Sequence, residues 1–231
     1  MKNFKKLEDS IGVNFKNKDL LKQALVHRSY INEHSDFELD HNERLEFLGD
    51  AVLEIVVTEF LYNKFPEKPE GQLTNLRASL VNAKMLTQIA HELGIEPNLY
   101  LSKGESKDSN TKARNYIIAD AIEAIIGAIY LDRGTSVAKK FIIEKILSHL
   151  DEVLDQQLYL DPKSTFQEKA QELYNITPHY SVLSETGPDH KKIFDVGVYI
   201  GEELVAKGNG TSKQEAQVEA ALVAIKKKKW S

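Results

Sequence analysis

Apolar residues recur at three- and four-residue spacing along most of the first two-thirds of the chain, in Leu20–Val26, Leu45–Tyr62, Leu73–Ile89, Ile117–Leu131 and Val137–Leu154. That period lines one side of a helix with apolar side chains, so each segment is expected to be an amphipathic helix, and few strand signals compete. Pro66, Pro69 and Gly71 close one segment, Gly94 and Pro97 another, and Gly134 ends the run at Leu131, as residues that break or cap helices should. The hydrophilic stretch Ser102–Asn115 reads as a connection between helices.

After Leu154 the period is lost. The segment DQQLYLDPKS is polar and contains Pro162, which predicts a linker over 155–160 between a helical domain at 1–154 and a second domain at 161–231. Ser164, with Gln167 three residues on, reads as the capping box of a helix. Alternation then takes over: Phe194, Val196, Val198 and Ile200 interleave with Asp195, Gly197 and Tyr199, the pattern of a half-buried antiparallel strand. Shorter strands are expected at His179–Glu185 and Glu203–Lys207, and a last helix after GNGTS carries Ala216, Ala220, Val223 and Ala224. The expected fold class is multidomain, an all-α domain followed by a small α+β domain of order α-β-β-β-α. Lys226–Lys229 reads as a solvated tail.

Composition narrows the chemistry. The 231 residues include no cysteine, which excludes a disulfide framework, a zinc finger, a cysteine nucleophile and thiolate-held clusters. Any metal must therefore bind through Asp, Glu or His. No apolar run approaches the roughly 18 residues of a membrane span, and MKNFKKLEDS lacks the apolar stretch of a signal peptide, so the expected location is cytoplasmic with no membrane partner. Residues 1–160 carry 20 basic and 25 acidic side chains and residues 161–231 carry 10 of each, so the whole net charge of −5 sits in the first part. No GxxxxGK[ST], GxGxxG or GxSxG motif occurs, which leaves a nucleotide cofactor and a serine-hydrolase mechanism without support.

On a helix over His41–Phe60, Leu45, Leu48, Val52, Ile55 and Val56 gather on one side, and Glu43, Glu46, Phe47, Asp50 and Glu54 on the other. An acidic stripe is ordinarily just solvated surface, but a phenyl group within it suggests that the face meets another subunit or a ligand. In IIADAIEAIIGAIYL, Asp120 and Glu123 are the only charges, and at i, i+3 they share a side. An unpaired carboxylate buried in low dielectric is either neutralised or finds a cation. Salt bridges from Arg44, Arg77 or Arg114 would supply one; so would a divalent ion held by Glu46, Asp50, Asp120 and Glu123, an all-oxygen set that suits Mg²⁺ or Mn²⁺ and not zinc. His27, His34, His91, His149 and His179 stand singly and read as ordinary surface or core residues.

The block HNERLEFLGD, His41–Asp50, resembles the signature of the ribonuclease III family, and PEGQLTNLRASLV from Pro69 and IIADAIEAIIGAIYLD from Ile117 are similar to further blocks of that family. DPKSTFQE from Asp161, GPDHKKIFDV from Gly187 and GNGTSKQEA from Gly208 resemble a double-stranded-RNA-binding domain. The resemblance implies a homodimeric, Mg²⁺-dependent endoribonuclease, with Mn²⁺ as a substitute ion. Such an enzyme cuts both strands of double-stranded RNA to 5′-phosphate and 3′-hydroxyl ends, in the processing of ribosomal and other RNA precursors. It assigns metal ligation to Glu46, Asp120 and Glu123, catalysis to Asp50 and Glu123, further acidic positions near the substrate channel and dimer seam to Glu43 and Glu70, and a dimer contact to Phe47. It assigns RNA binding to Gln167, Glu168 and His190, which could reach minor-groove sugars, and to Thr211, Ser212 and Lys213, where a helix N-terminus favours phosphate. Ile122 stands where the family often has Phe, no Gly-Gly-Arg run precedes Asp120, and Gln214 and Gln217 stand where many relatives have Lys, which implies weaker and less salt-sensitive RNA binding. The alternative, a non-catalytic double-stranded-RNA-binding or ribosome-associated protein on the same scaffold, would need a lost ligand, yet Glu46, Asp50, Asp120 and Glu123 are all present.

Overall fold

The computed structural model describes residues 4–107, 111–157, 159, 161–188 and 191–230. The chain divides into two compact units, residues 1–159 and 160–231. Among the described residues no helix is long and apolar enough to cross a membrane.

The first unit consists of helices α1 (Phe4–Ile11), α2 (Lys18–Ala24), α3 (Arg28–Glu33), α4 (Glu43–Lys64), α5 (Glu70–Val81), α6 (Ala83–Glu92), α7 (Lys112–Arg133), α8 (Thr135–Lys145) and α9 (Leu150–Asp155). The two 22-residue helices α4 and α7 pack against each other, with α2, α6 and α8 around α7 and α5 on α4. Helix α7 is buried on nearly every side from Ile117 to Ile129, which is why its sequence is apolar all round and not striped.

Two expected helices are each broken. Leu73–Ile89 becomes α5 and α6, because the extended backbone of Asn82 ends the first while its side chain caps the second, accepting from Met85 N at 3.0 Å. Val137–Leu154 becomes α8, a short 3-10 turn at Leu147–His149, and α9. The 102–115 connection also ends early, since Thr111 caps α7 by accepting from Arg114 N at 3.1 Å. In the Asn82 and Thr111 cases a polar cap, invisible to apolar periodicity, sets the boundary.

The second unit runs α10 (Pro162–Tyr174), β1 (His179–Thr186), β2 (Ile193–Ile200), β3 (Glu203–Gly210) and α11 (Lys213–Lys228). Its antiparallel sheet has the order β1-β2-β3, with Tyr180 opposite Val198 and Val198 opposite Ala206. Phe166, Ala170, Val198, Ile200, Val205, Ala220 and Ala224 form the core between helices and sheet. The first helix does not open at Ser164. Asp161 is the cap, accepting from Lys163 N and Ser164 N, and Pro162 fits the first helical position because its missing N–H needs no partner there. The C-terminal lysines are not a free tail either. Lys227 donates to the Val205 carbonyl at 2.8 Å, Lys228 pairs with Glu203 at 3.2 Å, and Trp230 stacks on Phe166 with ring centroids 5.1 Å apart.

Candidate metal centre

The start of α4 is fixed by one residue. Asn42 is buried; its N–H donates to the Val26 carbonyl at 2.8 Å, its side-chain amide donates to the Ala24 carbonyl at 3.4 Å, and its own carbonyl accepts from Glu46 N at 2.9 Å. Glu46 is thereby tied to the segment that follows α2.

Where α4 meets α7, glycine faces backbone. A Cβ placed on Gly49 would lie 1.7 Å from the Glu123 carbonyl oxygen, and one on Gly127 would lie 2.2 Å from the Leu45 carbonyl oxygen. The two backbones therefore touch, an approach only glycine permits. Glu46 lies one turn before Gly49 and Glu123 one turn before Gly127, so this crossing brings their side chains together with Asp120. One carboxylate oxygen from each of Glu46, Asp120 and Glu123 lies within 4.8 Å of the others, and all three residues are half-buried.

No salt bridge among the described residues explains this cluster. Arg77 pairs with Glu54 at 2.8 Å and Arg114 with Glu96 at 2.9 Å, while Arg44 is exposed. The carboxylates respond as uncompensated anions do. Burial pushes Glu123 up to about 8, helped by the charges of Asp50, Asp120, Glu46 and Glu54; burial and the charges of Asp120, Glu43 and Asp50 push Glu46 up to about 7; burial also raises Asp120. Three converging hard oxygen donors without a protein cation fit a Mg²⁺- or Mn²⁺-sized ion that keeps several waters. Asp50 is exposed and outside the three-oxygen group, but its charge acts on both Glu46 and Glu123.

These shifts have a measurable sign. Folded Glu123 keeps its proton to about 8, whereas its ordinary value is 4.5, so over that window the folded chain binds more protons than the unfolded one. Metal-free stability from this group is present below 4.5, falls as pH rises, and is fully lost above about 8. In EDTA, melting temperature should therefore drop more between acid and alkaline pH for the native protein than for Glu123→Gln. Identical pH profiles would show that Glu123 is not perturbed.

The wheel drawn from the sequence is rotated in the structure. The buried stripe of α4 is Leu45, Gly49, Val52, Leu53, Val56, Val57 and Leu61, because α7 seats against Gly49, and Ile55 is 65% exposed instead of buried. Phe47 at 81%, Ile55 and Tyr62 at 70% then form an exposed apolar row. Beyond it lies a groove of about 410 Å³ lined by Thr58, Leu61, Tyr62, Leu73 and Arg77, among others. Glu70 stands at this groove, accepting from Thr74 Oγ1 at 3.3 Å, and does not join the carboxylate cluster. Glu43 is also outside it, paired with Arg28 at 3.4 Å.

In the second unit Gln167 and Glu168 are exposed on α10. Lys213 is exposed and stands 3.3 Å from Glu185. Thr211 and Ser212 are engaged by their own helix: Thr211 N and Oγ1 donate to Glu215 at 2.7 and 2.6 Å, and Ser212 Oγ accepts from Glu215 N at 3.1 Å. His190 lies outside the described residues. Sequence reasoning missed Asn42, Gly49 and Gly127; the signal available was a glycine inside each of the two acid-bearing apolar helices.

Residues 17–150 match the family described as Ribonuclease-III-like, and residues 162–228 match the double-stranded RNA binding motif. The chain is 44% identical over 220 residues to Ribonuclease 3 of Carboxydothermus hydrogenoformans, covering 95% of this chain and 93% of that one. It is 40% identical over 234 residues to Ribonuclease 3 of Listeria monocytogenes, covering 98% of each. Among solved structures, the nuclease domain of ribonuclease III from Campylobacter jejuni superposes with a TM-score of 0.56 at 42% identity, over 64% of this chain and 96% of that one. A second structure of that domain, at the same TM-score and identity, covers 63% of this chain and 97% of its own, and is described as flexible in a region involved in dimer formation.

Proposed function

This chain belongs to the ribonuclease III family, the endonucleases of double-stranded RNA, and on that footing we propose that it hydrolyses both strands of duplex RNA as a Mg²⁺-dependent homodimer. The products are 5′-phosphate and 3′-hydroxyl ends, the substrates ribosomal and other RNA precursors, and the location the cytoplasm. Residues 1–154 act as the nuclease domain, 155–160 as a linker and 161–231 as the double-stranded-RNA-binding domain. The observation that carries this reading is the half-buried trio Glu46, Asp120 and Glu123, converging without a protein cation.

Glu46, Asp120 and Glu123 would hold the ion, which when bound polarises the scissile phosphate and lowers the pKa of a coordinated water. The protein's own task is to keep these three oxygens converged through the Gly49–Gly127 contact and to release the protons of Glu46 and Glu123. Asp50, exposed beside them, completes the anionic surface toward solvent and acts as the catalytic acidic residue. On the second unit, Gln167 and Glu168 face the minor groove and the start of α11 faces phosphate, with His190 as a further reader. In the free protein the side chains of Thr211 and Ser212 serve the α11 cap, so Lys213 carries the cationic contact there.

The dimer follows from α4. Phe47 stands near one end of its exposed row and the groove at the other, roughly 22 Å apart at 1.5 Å per residue. A two-fold axis near Ile55 would seat the Phe47 of each subunit in the groove of the other, an isologous contact. Phe47→Asp should therefore yield monomers by sedimentation and convert double-strand cuts into nicks. A variant that remains a stable dimer would remove Phe47 from the interface.

Incubation with long duplex RNA in Mg²⁺, in Mn²⁺ and in chelator tests the function. Short duplex products with either ion and intact RNA in chelator are expected. RNA that is bound but uncut in both ions would favour the non-catalytic alternative; RNA cut in chelator would refute the metal dependence.

A further inference from the structure

We infer that Lys163 is a phosphate ligand at the centre of the duplex-RNA face of the second unit, an inference that rests on reading that unit as RNA-binding. On α10, Lys163 and Gln167 stand at i, i+4 and share a face; on α11, Lys213 and Gln217 do the same. A hydrogen bond joins the two faces, Lys163 Nζ donating to Gln217 Oε1 at 2.6 Å. A duplex that touches Gln167 on one helix and Lys213 on the other therefore has Lys163 between its two points of attachment.

The charge of Lys163 is not spent. Its ammonium meets a neutral amide oxygen and stands over the Tyr180 ring at 5.1 Å, and among the described residues no carboxylate pairs with it. Asp161, its neighbour in sequence, uses its oxygens on Lys163 N, Ser164 N and Ser164 Oγ. Three other lysines of the unit are paired with carboxylates, Lys213 with Glu185, Lys169 with Glu172 and Lys228 with Glu203. The Tyr180 hydroxyl is buried with no hydrogen-bond partner among the described residues, and burial, with the nearby charge of Asp161, holds the phenol neutral up to about 12, so the ring itself adds no negative charge. The first turn of α10 adds its own positive partial charge. Lys163 is also held in place by the ring and the amide, which lowers the ordering cost of meeting a phosphate. A cation thus stands where the side chain at 217, a glutamine, cannot supply one.

The test is the salt dependence of duplex-RNA binding by the full chain, measured by fluorescence anisotropy in EDTA over a series of KCl concentrations. Each phosphate neutralised by a lysine contributes close to one unit of slope in log K against log salt. Lys163→Gln should lower the slope by about one unit, Lys163→Arg should keep it, and adding Gln217→Lys to Lys163→Gln should restore it. Lys226→Gln removes an exposed cation nine residues past Gln217, half a turn round α11, and should leave the slope unchanged. An unchanged slope in Lys163→Gln, or an equal fall in Lys226→Gln, overturns the inference alone. A native chain that binds no duplex RNA at any salt overturns the underlying reading of the unit.

Discussion

Glu123→Gln is expected to abolish cleavage of duplex RNA while leaving its binding intact. Glu123 is the most strongly perturbed of the three converging carboxylates, held up to about 8 by burial and by the charges of Asp50, Asp120 and Glu46. An amide in its place keeps the shape and removes the charge. Loss of even an outer partner of a metal site typically costs 10–100-fold, so loss of a direct ligand should cost more than about 100-fold. Glu123 belongs to the first unit, whereas the RNA face proposed above, with Gln167, Lys213 and Lys163, belongs to the second and is untouched by the change. Gel assays of both steps separate the effects, and near-normal cleavage at physiological Mg²⁺ would end the metal-site assignment.

The second large effect concerns a residue with no chemistry of its own. Gly49→Ala leaves every acid in place, yet its Cβ would fall 1.7 Å from the Glu123 carbonyl oxygen, so α4 and α7 must move apart. Overpacking of this kind costs about 1–3 kcal/mol. Because Glu46 rides on one helix and Asp120 and Glu123 on the other, any separation opens the cluster directly. Cleavage should collapse in a chain that still folds by circular dichroism. Gly71→Ala is the control, since a Cβ there meets nothing within 4 Å, and it should cut normally. Full activity in Gly49→Ala would mean that the crossing does not set the site.

The contrast between these variants shows what the sequence makes legible. Asp120 and Glu123 stand out because a helix otherwise apolar announces any charge it carries, and burial of α7 on nearly all sides is the reason. Helices and strands with a clean period emerge for the same reason, since burial on one face leaves a repeat. The boundaries at Asn82, Thr111 and Asp161 do not, because each depends on a single polar side chain reaching a backbone N–H. Ile55 misleads for a different reason: a wheel assumes one apolar side, and α4 has two, one facing α7 and one facing outward. Glycine is the hardest to read. Gly49 and Gly127 look like weak points in helices and are instead the points of closest approach, visible only when both helices are seen together.

Anomalous diffraction from crystals soaked in Mn²⁺ tests most directly whether Glu46, Asp120 and Glu123 hold a divalent ion. A peak among those three carboxylates in the native protein, and none there in Glu123→Gln, is expected. A peak elsewhere in the native protein, or none at an ion concentration that supports cleavage, would contradict that assignment.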